Sequence, residues 1–270
     1  MAKWLYEKGM RQVIGLIYQV RNEMGAGWSE EIYHQALVYL LKKHSIPTRS
    51  KEQCSLVHRG VKIHTFEPDI IIWDKIVLEL KVLLAFKGKK FPAINQAQLF
   101  HYLKFHQMSL GALVNFAHPD VGIQRIIYEP PPVKVEENYT YMLPYVNESD
   151  KQILRGVQRH IKLLANQYGL GYPEELYRTL VGVELAYQNI ACISNIDVTA
   201  RWEDHILGIQ STPYLLIADR FLLHVRASLD RIPGHDFIKT QSYLKALGLK
   251  VGWVVNFGRK ALQIYTTAVE

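Results

Sequence analysis

The apolar positions of this chain keep two rhythms in turn, one with a helical period and one with a strand period. Val13, Ile14, Ile17 and Val20 recur at helical spacing, and Gly25 closes the helix they predict. Ser29 is placed as the N-cap of a second helix with the apolar face Tyr33, Ala36, Leu37, Leu40 and Leu41, which Pro47 stops. Strand-like runs follow at Cys54–His58 and Val61–Phe66. Two more, Ile70–Trp73 and Ile76–Val82, are predicted to form a tight hairpin joined by Asp74 and Lys75. A basic loop at 87–90 leads into a helix near Ala93–His106, a buried strand at Ala112–Phe116 and a last strand at Ile123–Tyr128. The order is helix, helix, three or four strands, helix, strand, strand: an α/β plan.

The plan is written twice. GAGWSEEIY from Gly25 has a counterpart in GLGYPEELY from Gly169. EPDIIIWDKIVLELKV from Glu67 matches TPYLLIADRFLLHVRA from Thr212, and HYLKFHQMSLGALVNF from His101 matches SYLKALGLKVGWVVNF from Ser242. Three matches in order, offset by 141–145 residues, indicate a tandem duplication. Between the copies, EPPPVKVEENYTYMLPYVNE is rich in proline and poor in periodicity and is read as a linker. The division expected is 1–128 for the first lobe, 129–149 for the linker and 150–270 for the second lobe, with the lobes packed about a pseudo-twofold axis.

Bulk properties narrow the function classes. No apolar run approaches the ~18 residues that suggest a membrane span, and the charged start MAKWLYEKGMRQ is unlike a signal peptide. A cytoplasmic protein without membrane attachment is expected. Cys54 and Cys192 each stand alone in an apolar run and are read as small buried hydrophobes. The eleven histidines form no HxxxH or HExxH unit, which disfavours zinc. A net charge of +7 favours a polyanionic partner once a site that handles phosphate is present.

Such a site is suggested by Pro68-Asp69 at the start of one strand and Glu79-Leu80-Lys81 on the next. Alternation puts Glu79 and Lys81 on one face and Leu80 on the other, and pairing across the hairpin brings Asp69 to the same edge. Two carboxylates and a lysine suit Mg²⁺ or Mn²⁺, hard cations that keep positions open for water and phosphate. A solvated ion pair on a polar strand face is the competing account. It fits poorly with IVLELKV and PDIIIW, which are apolar enough for central strands, where unpaired charge is costly.

These residues resemble the PD-(D/E)XK nuclease superfamily and, within it, the bacterial GxxExxY family. The motifs stand here as Gly27-Trp-Ser-Glu30-Glu-Ile-Tyr33, as Pro68-Asp69 with Glu79-Leu-Lys81, as Gln98 and Tyr102 on the next helix, and as Leu113-Val-Asn-Phe116. The resemblance covers roughly residues 5 to 128. It implies an αβ-sandwich lobe with a mixed central sheet flanked by helices, in which Asp69 and Glu79 hold the metal and Lys81 assists the attacking water. Glu30 would reach the same metal, or would simply be a helix-start glutamate favoured by the macrodipole. Gln98 and Tyr102 share a helix face and would orient phosphate, or would serve only packing. Lys87, Lys89 and Lys90 would track a phosphate backbone, or form a solvated loop.

In the second copy, Asp69 becomes Tyr214, Glu79 becomes His224, Lys81 becomes Arg226 and Gln98 becomes Lys239. Glu174, Tyr177 and Tyr243 remain. The expectation is a metal-dependent nuclease, acting on DNA before RNA, with one active lobe and one degenerate lobe. The competing expectation is a nucleic-acid-binding or partner-docking protein on the same fold. A pseudo-dimer formed by the fused pair within one chain, or a homo-oligomer, is the expected assembly.

Overall fold

The computed structural model describes residues 6–84, 90–117, 120–227 and 230–270. The chain divides into two compact units, Met1–Leu56 with Thr65–Pro130, and Val57–His64 with Pro131–Glu270.

In the first unit, α1 (Glu7–Met24) and α2 (Glu30–Lys43) precede β1 (Thr48–Ser50), β4 (Ile70–Ile72) and β5 (Ile76–Lys81), while β2 (Cys54–His58) and β3 (Val61–Phe66) pair with each other around the segment Val57–His64 that belongs to the second unit. Then come α3 (Ala93–Phe105), β6 (Leu110–Asn115) and β7 (Gly122–Ile127). The sheet order is β1-β4-β5-β6-β7. The β5–β6 pair is parallel and its neighbours are antiparallel, so the sheet is mixed. A parallel pair needs a crossover, and α3 supplies it.

Pleat alternation sorts the side chains. Ile70, Ile72, Leu78, Leu80, Ala112 and Val114 join a core with Val13, Ile17 and Val20 of α1 and Tyr33, Leu37 and Leu41 of α2. Val77, Glu79 and Lys81 point to the other face, where α3 lies. That helix approaches closely because residue 111 is glycine: a Cβ there would stand 2.9 Å from Leu99 Cδ1. The Ser29 cap is present, its hydroxyl accepting from Ile32 N.

The second unit repeats this scheme. Helices α4 (Glu148–Tyr168) and α5 (Glu174–Tyr187) precede β9 (Cys192–Trp202), β10 (His205–Ile217) and β11 (Phe221–Arg226). After α6 (Gly234–Leu247) come β12 (Val251–Phe257) and β13 (Leu262–Ala268). Its sheet, with β8 (Val135–Asn138) at one edge, runs β8-β13-β12-β11-β10-β9. Gly252 repeats the close approach, a Cβ there meeting Thr240 Cγ2 at 2.7 Å.

Several expectations need correction. The first hairpin is joined by Trp73, Asp74 and Lys75, one residue more than expected, because Ile72 pairs with Ile76. Trp73 and Asp74 both have φ of 53°, and Lys75 N closes the turn on Ile72 O at 3.0 Å. Ala218 and Asp219 repeat the turn with φ of 50° and 54°. The segment read as a linker holds β8 (Val135–Asn138), paired in parallel with β13, and a 3₁₀ helix over Thr140–Tyr145. All four residues of β8 are exposed, so no buried face marks it in sequence. Short β1, with no buried residue, escaped for the same reason. Cys54 and Cys192 are half-buried, not buried. Among the described residues no helix is long and apolar enough to cross a membrane.

Within the second unit, Glu184 of α5 is fully buried. It accepts from His58 Nε2 at 2.8 Å, Arg59 Nε at 2.9 Å and Gln188 Nε2 at 3.0 Å, and His160 Nδ1 lies 3.0 Å away. A carboxylate can only accept, so His58 Nε2 carries the proton and Nδ1 faces the Tyr168 hydroxyl at 2.9 Å. Burial pushes the Glu184 pKa up, but the hydrogen bonds from Arg59, Gln188 and His58 outweigh it and hold the carboxyl at about 2. This folded value lies below the ordinary 4.5, so the contribution is fully present above about pH 4.5 and is lost as pH falls toward 2. Glu184→Ala is therefore expected to cost about 3 kcal/mol at neutral pH. In urea titrations across pH the gap from wild type should narrow below pH 4.5. A gap that stays constant down to pH 2 would contradict this account.

Candidate active site

The β4–β5 register pairs Ile70 with Leu78, and its continuation sets Asp69 opposite Glu79. Asp69 Oδ2 accepts from Leu80 N at 2.7 Å, fixing the carboxylate over β5. Glu79 is 2% exposed, and Lys81 Nζ donates to its Oε1 at 2.6 Å. Its Oε2 is buried and has no hydrogen-bond partner among the described residues. Glu30, on the first turn of α2, brings Oε1 to 3.8 Å from the same Lys81 Nζ. The lysine thus bridges carboxylates from a strand and a helix.

The electrostatics follow from burial. Desolvation and the neighbouring Asp69 push the Glu79 carboxyl up to about 8, against the pull of Lys81. Desolvation also raises Glu30, with Lys81 opposing and Asp69 adding. Burial disfavours the Lys81 ammonium, but Glu79, Glu30 and Asp69 more than offset it and raise its pKa. On α3, Gln98 Nε2 donates to the Tyr102 hydroxyl at 3.0 Å. Burial and the charge of Glu79 push that phenol up to about 12, so it stays a donor near neutral pH.

The structure brings Asp69, Glu79, Lys81 and Glu30 near one another, and on α3 it puts Gln98 in contact with Tyr102. Lys90 is exposed, while Lys87 and Lys89 lie outside the described residues. Among the described residues, no three His, Cys, Asp or Glu side chains stand close enough to hold a metal ion as placed. The unpartnered Glu79 Oε2 beside Asp69 is nonetheless an oxygen pair that suits a hard cation.

Sequence reading missed His34. It is buried one helical turn after Glu30, with Nε2 3.2 Å from the carbonyl oxygen of Asp69 and 3.0 Å from Ser50 Oγ. It steadies the backbone that carries Asp69. The i, i+4 spacing from Glu30 is the one local signal that could have pointed to it. Tyr33, by contrast, is architectural. Its ring stacks on Phe116 at 4.4 Å and its hydroxyl donates to Gly25 O at 2.7 Å. Tyr177 does the same with Phe257 at 4.1 Å and Gly169 O at 2.7 Å.

The family model of the PD-(D/E)XK nuclease superfamily matches residues 7–126 and again 151–266. The chain belongs to the PD-(D/E)XK nuclease superfamily. Both matched segments fall on the helix-flanked sheets described above. No curated protein matches the chain. A solved structure described as the crystal structure of SSO0001 is 24% identical, with a TM-score of 0.30, over 47% of this chain. The match spans 61% of that protein's length.

The second unit fills the corresponding place of the PD-(D/E)XK fold differently. Tyr214 is fully buried and stacks on His224 at 4.2 Å. Burial, then Arg226, Lys239 and Arg178, push the His224 imidazole down to about 3, so it is neutral. Arg226 Nη1 donates to Glu174 Oε2 at 2.9 Å, and its Nε lies 2.9 Å from Asp236 Oδ2. The two acids nearest the cleft are thus held by a guanidinium.

A buried carboxyl with one unpartnered oxygen costs stability. Glu79→Gln is therefore expected to be at least as stable as wild type in EDTA, measured by thermal unfolding. A loss beyond about 1 kcal/mol would mark the carboxylate as a structural element instead.

Proposed function

We propose that the first unit is a divalent-metal-dependent nuclease and that the second is its non-cleaving copy, with nucleic acid, DNA before RNA, as the substrate. The observation that carries the reading is the pairing of buried Glu79, its Oε2 unpartnered, with Lys81 at 2.6 Å and Asp69 across the hairpin. Asp69 and Glu79, with Glu30 completing the acidic set, would hold Mg²⁺ or Mn²⁺, which would supply a Lewis acid for the scissile phosphate and lower the pKa of water.

The chain's own groups do the rest. Lys81 Nζ holds the attacking water and balances charge on the phosphate. Gln98 and the protonated Tyr102 hydroxyl orient a phosphate oxygen from α3. His34 keeps the Asp69 backbone in place. Lys90, with Lys87 and Lys89, follows the polyanion, in keeping with the net charge of +7. In the second unit Tyr214, His224 and Arg226 offer no pair of free carboxylates, which supports the reading of that copy as degenerate.

The test is cleavage of labelled single- and double-stranded DNA and RNA with Mg²⁺, Mn²⁺ or EDTA. Asp69→Ala, Glu79→Ala and Lys81→Ala are each expected to lower the metal-dependent rate about a hundredfold or more, and the near-isosteric Tyr214→Phe to leave it within about twofold. Undiminished cutting by both carboxylate variants would refute the assignment. Salt-sensitive retention of nucleic acid without cutting under any metal would favour a binding protein that keeps the site as a relic.

A further inference from the structure

The turn before Glu30 is built differently in the two copies, although its glycines are kept. In the second unit Gly171 (φ 85°) donates its N–H to Phe257 O at 3.1 Å, which draws the turn onto the sheet. The next residue, Tyr172, is 3% exposed and packs on Tyr177 with ring centroids 6.2 Å apart. This is the hydrophobic staple between the residue before an N-cap and the fourth residue of the helix.

In the first unit the corresponding carbonyl, Phe116 O, accepts instead from Arg21 Nε at 3.2 Å. The counterpart of Arg21 is Ala165, which cannot donate in this way. Gly27 (φ 99°) makes no bond to Phe116 O, and Trp28 makes no ring contact with Tyr33 among the described residues. Trp28 is 45% exposed. Its indole is still held, because Nε1 donates to Met24 O at 2.9 Å. An aromatic face is thus oriented and left bare two residues before Glu30, whose carboxylate lies 3.8 Å from Lys81 Nζ.

An exposed indole that has given up its packing partner forfeits hydrophobic stabilisation, and a ligand face that replaces the partner recovers it. Every nucleobase offers a flat π-face of the right size, but only when it is unpaired and unstacked. We propose that Trp28 is a base-stacking platform that selects an unpaired nucleotide, in a single strand or a frayed end, beside the scissile phosphate. The proposal rests on the reading of Asp69, Glu79 and Lys81 as the phosphodiester site. Trp28 is then a specificity residue, and the buried Tyr172 is its counterpart where no cleavage site remains.

The test uses full-length protein in EDTA and single-stranded DNA carrying 2-aminopurine, whose emission falls when it stacks on an indole. Wild type is expected to bind and quench the probe. Trp28→Ala should bind about tenfold more weakly and lose the quenching, while Trp28→Phe restores most of the affinity, and binding to a blunt closed-ended duplex changes little. Thermal unfolding of each variant identifies loss of a structural staple, which lowers the midpoint without separating single strand from duplex. Equal affinity of all three proteins for the single strand, or equal losses on both substrates, would overturn the proposal. Failure of the nuclease reading shows itself separately, as absence of wild-type cleavage in Mg²⁺ and Mn²⁺.

Discussion

A carboxyl group at 2% exposure in the middle of an otherwise apolar strand sets the terms for the first unit. Glu79 cannot sit there on its own, because desolvation alone drives it toward the neutral acid. Lys81 on the same strand face and the hairpin that brings Asp69 opposite are the local means of holding it. The turn at Trp73–Lys75 sets the register, and the Leu80 N–H fixes the Asp69 carboxylate. Glu30 from α2 and Tyr102 from α3 then enclose the group from two helices.

The duplication separates scaffold from chemistry inside one molecule. Both copies keep the positive-φ turn in the hairpin, the glycine that lets the crossover helix approach the sheet, and the tyrosine stacked on the phenylalanine of the parallel strand. These are demands of the backbone and the core. What differs is the set of side chains on the α3-facing side of the sheet. Where the first unit buries a carboxylate near a lysine, the second stacks Tyr214 on a neutral His224 and ties its remaining acids to Arg226. One fold therefore tolerates both fillings, which separates the stability of the lobe from the presence of the carboxylates.

Legibility followed burial. Helices α1 and α2 and the central strands carry long apolar periodicities and were placed within a few residues. Exposed β8 and short β1 carry none, and only their hydrogen-bonding partners make them strands. Asp69, Glu79 and Lys81 were legible because charge inside an apolar strand is costly enough to demand a reason. His34 was hidden, because a histidine on a helix looks ordinary until its nitrogen is found against the Asp69 carbonyl. Tyr33 was legible as part of the apolar face of α2, and its stacking on Phe116 and its bond to Gly25 make it a structural post.

By itself the sequence determined the doubled α/β plan, the apolar faces and the acids and lysine that belong together, because periodicity and the cost of buried charge act along the chain. The tertiary structure decided which neighbours share those charges. It left one oxygen of Glu79 without a partner, set Lys81 between two carboxylates, sealed the second copy with an aromatic stack and left Trp28 bare where Tyr172 is covered. Those outcomes depend on distances between residues far apart in sequence, which no local pattern encodes.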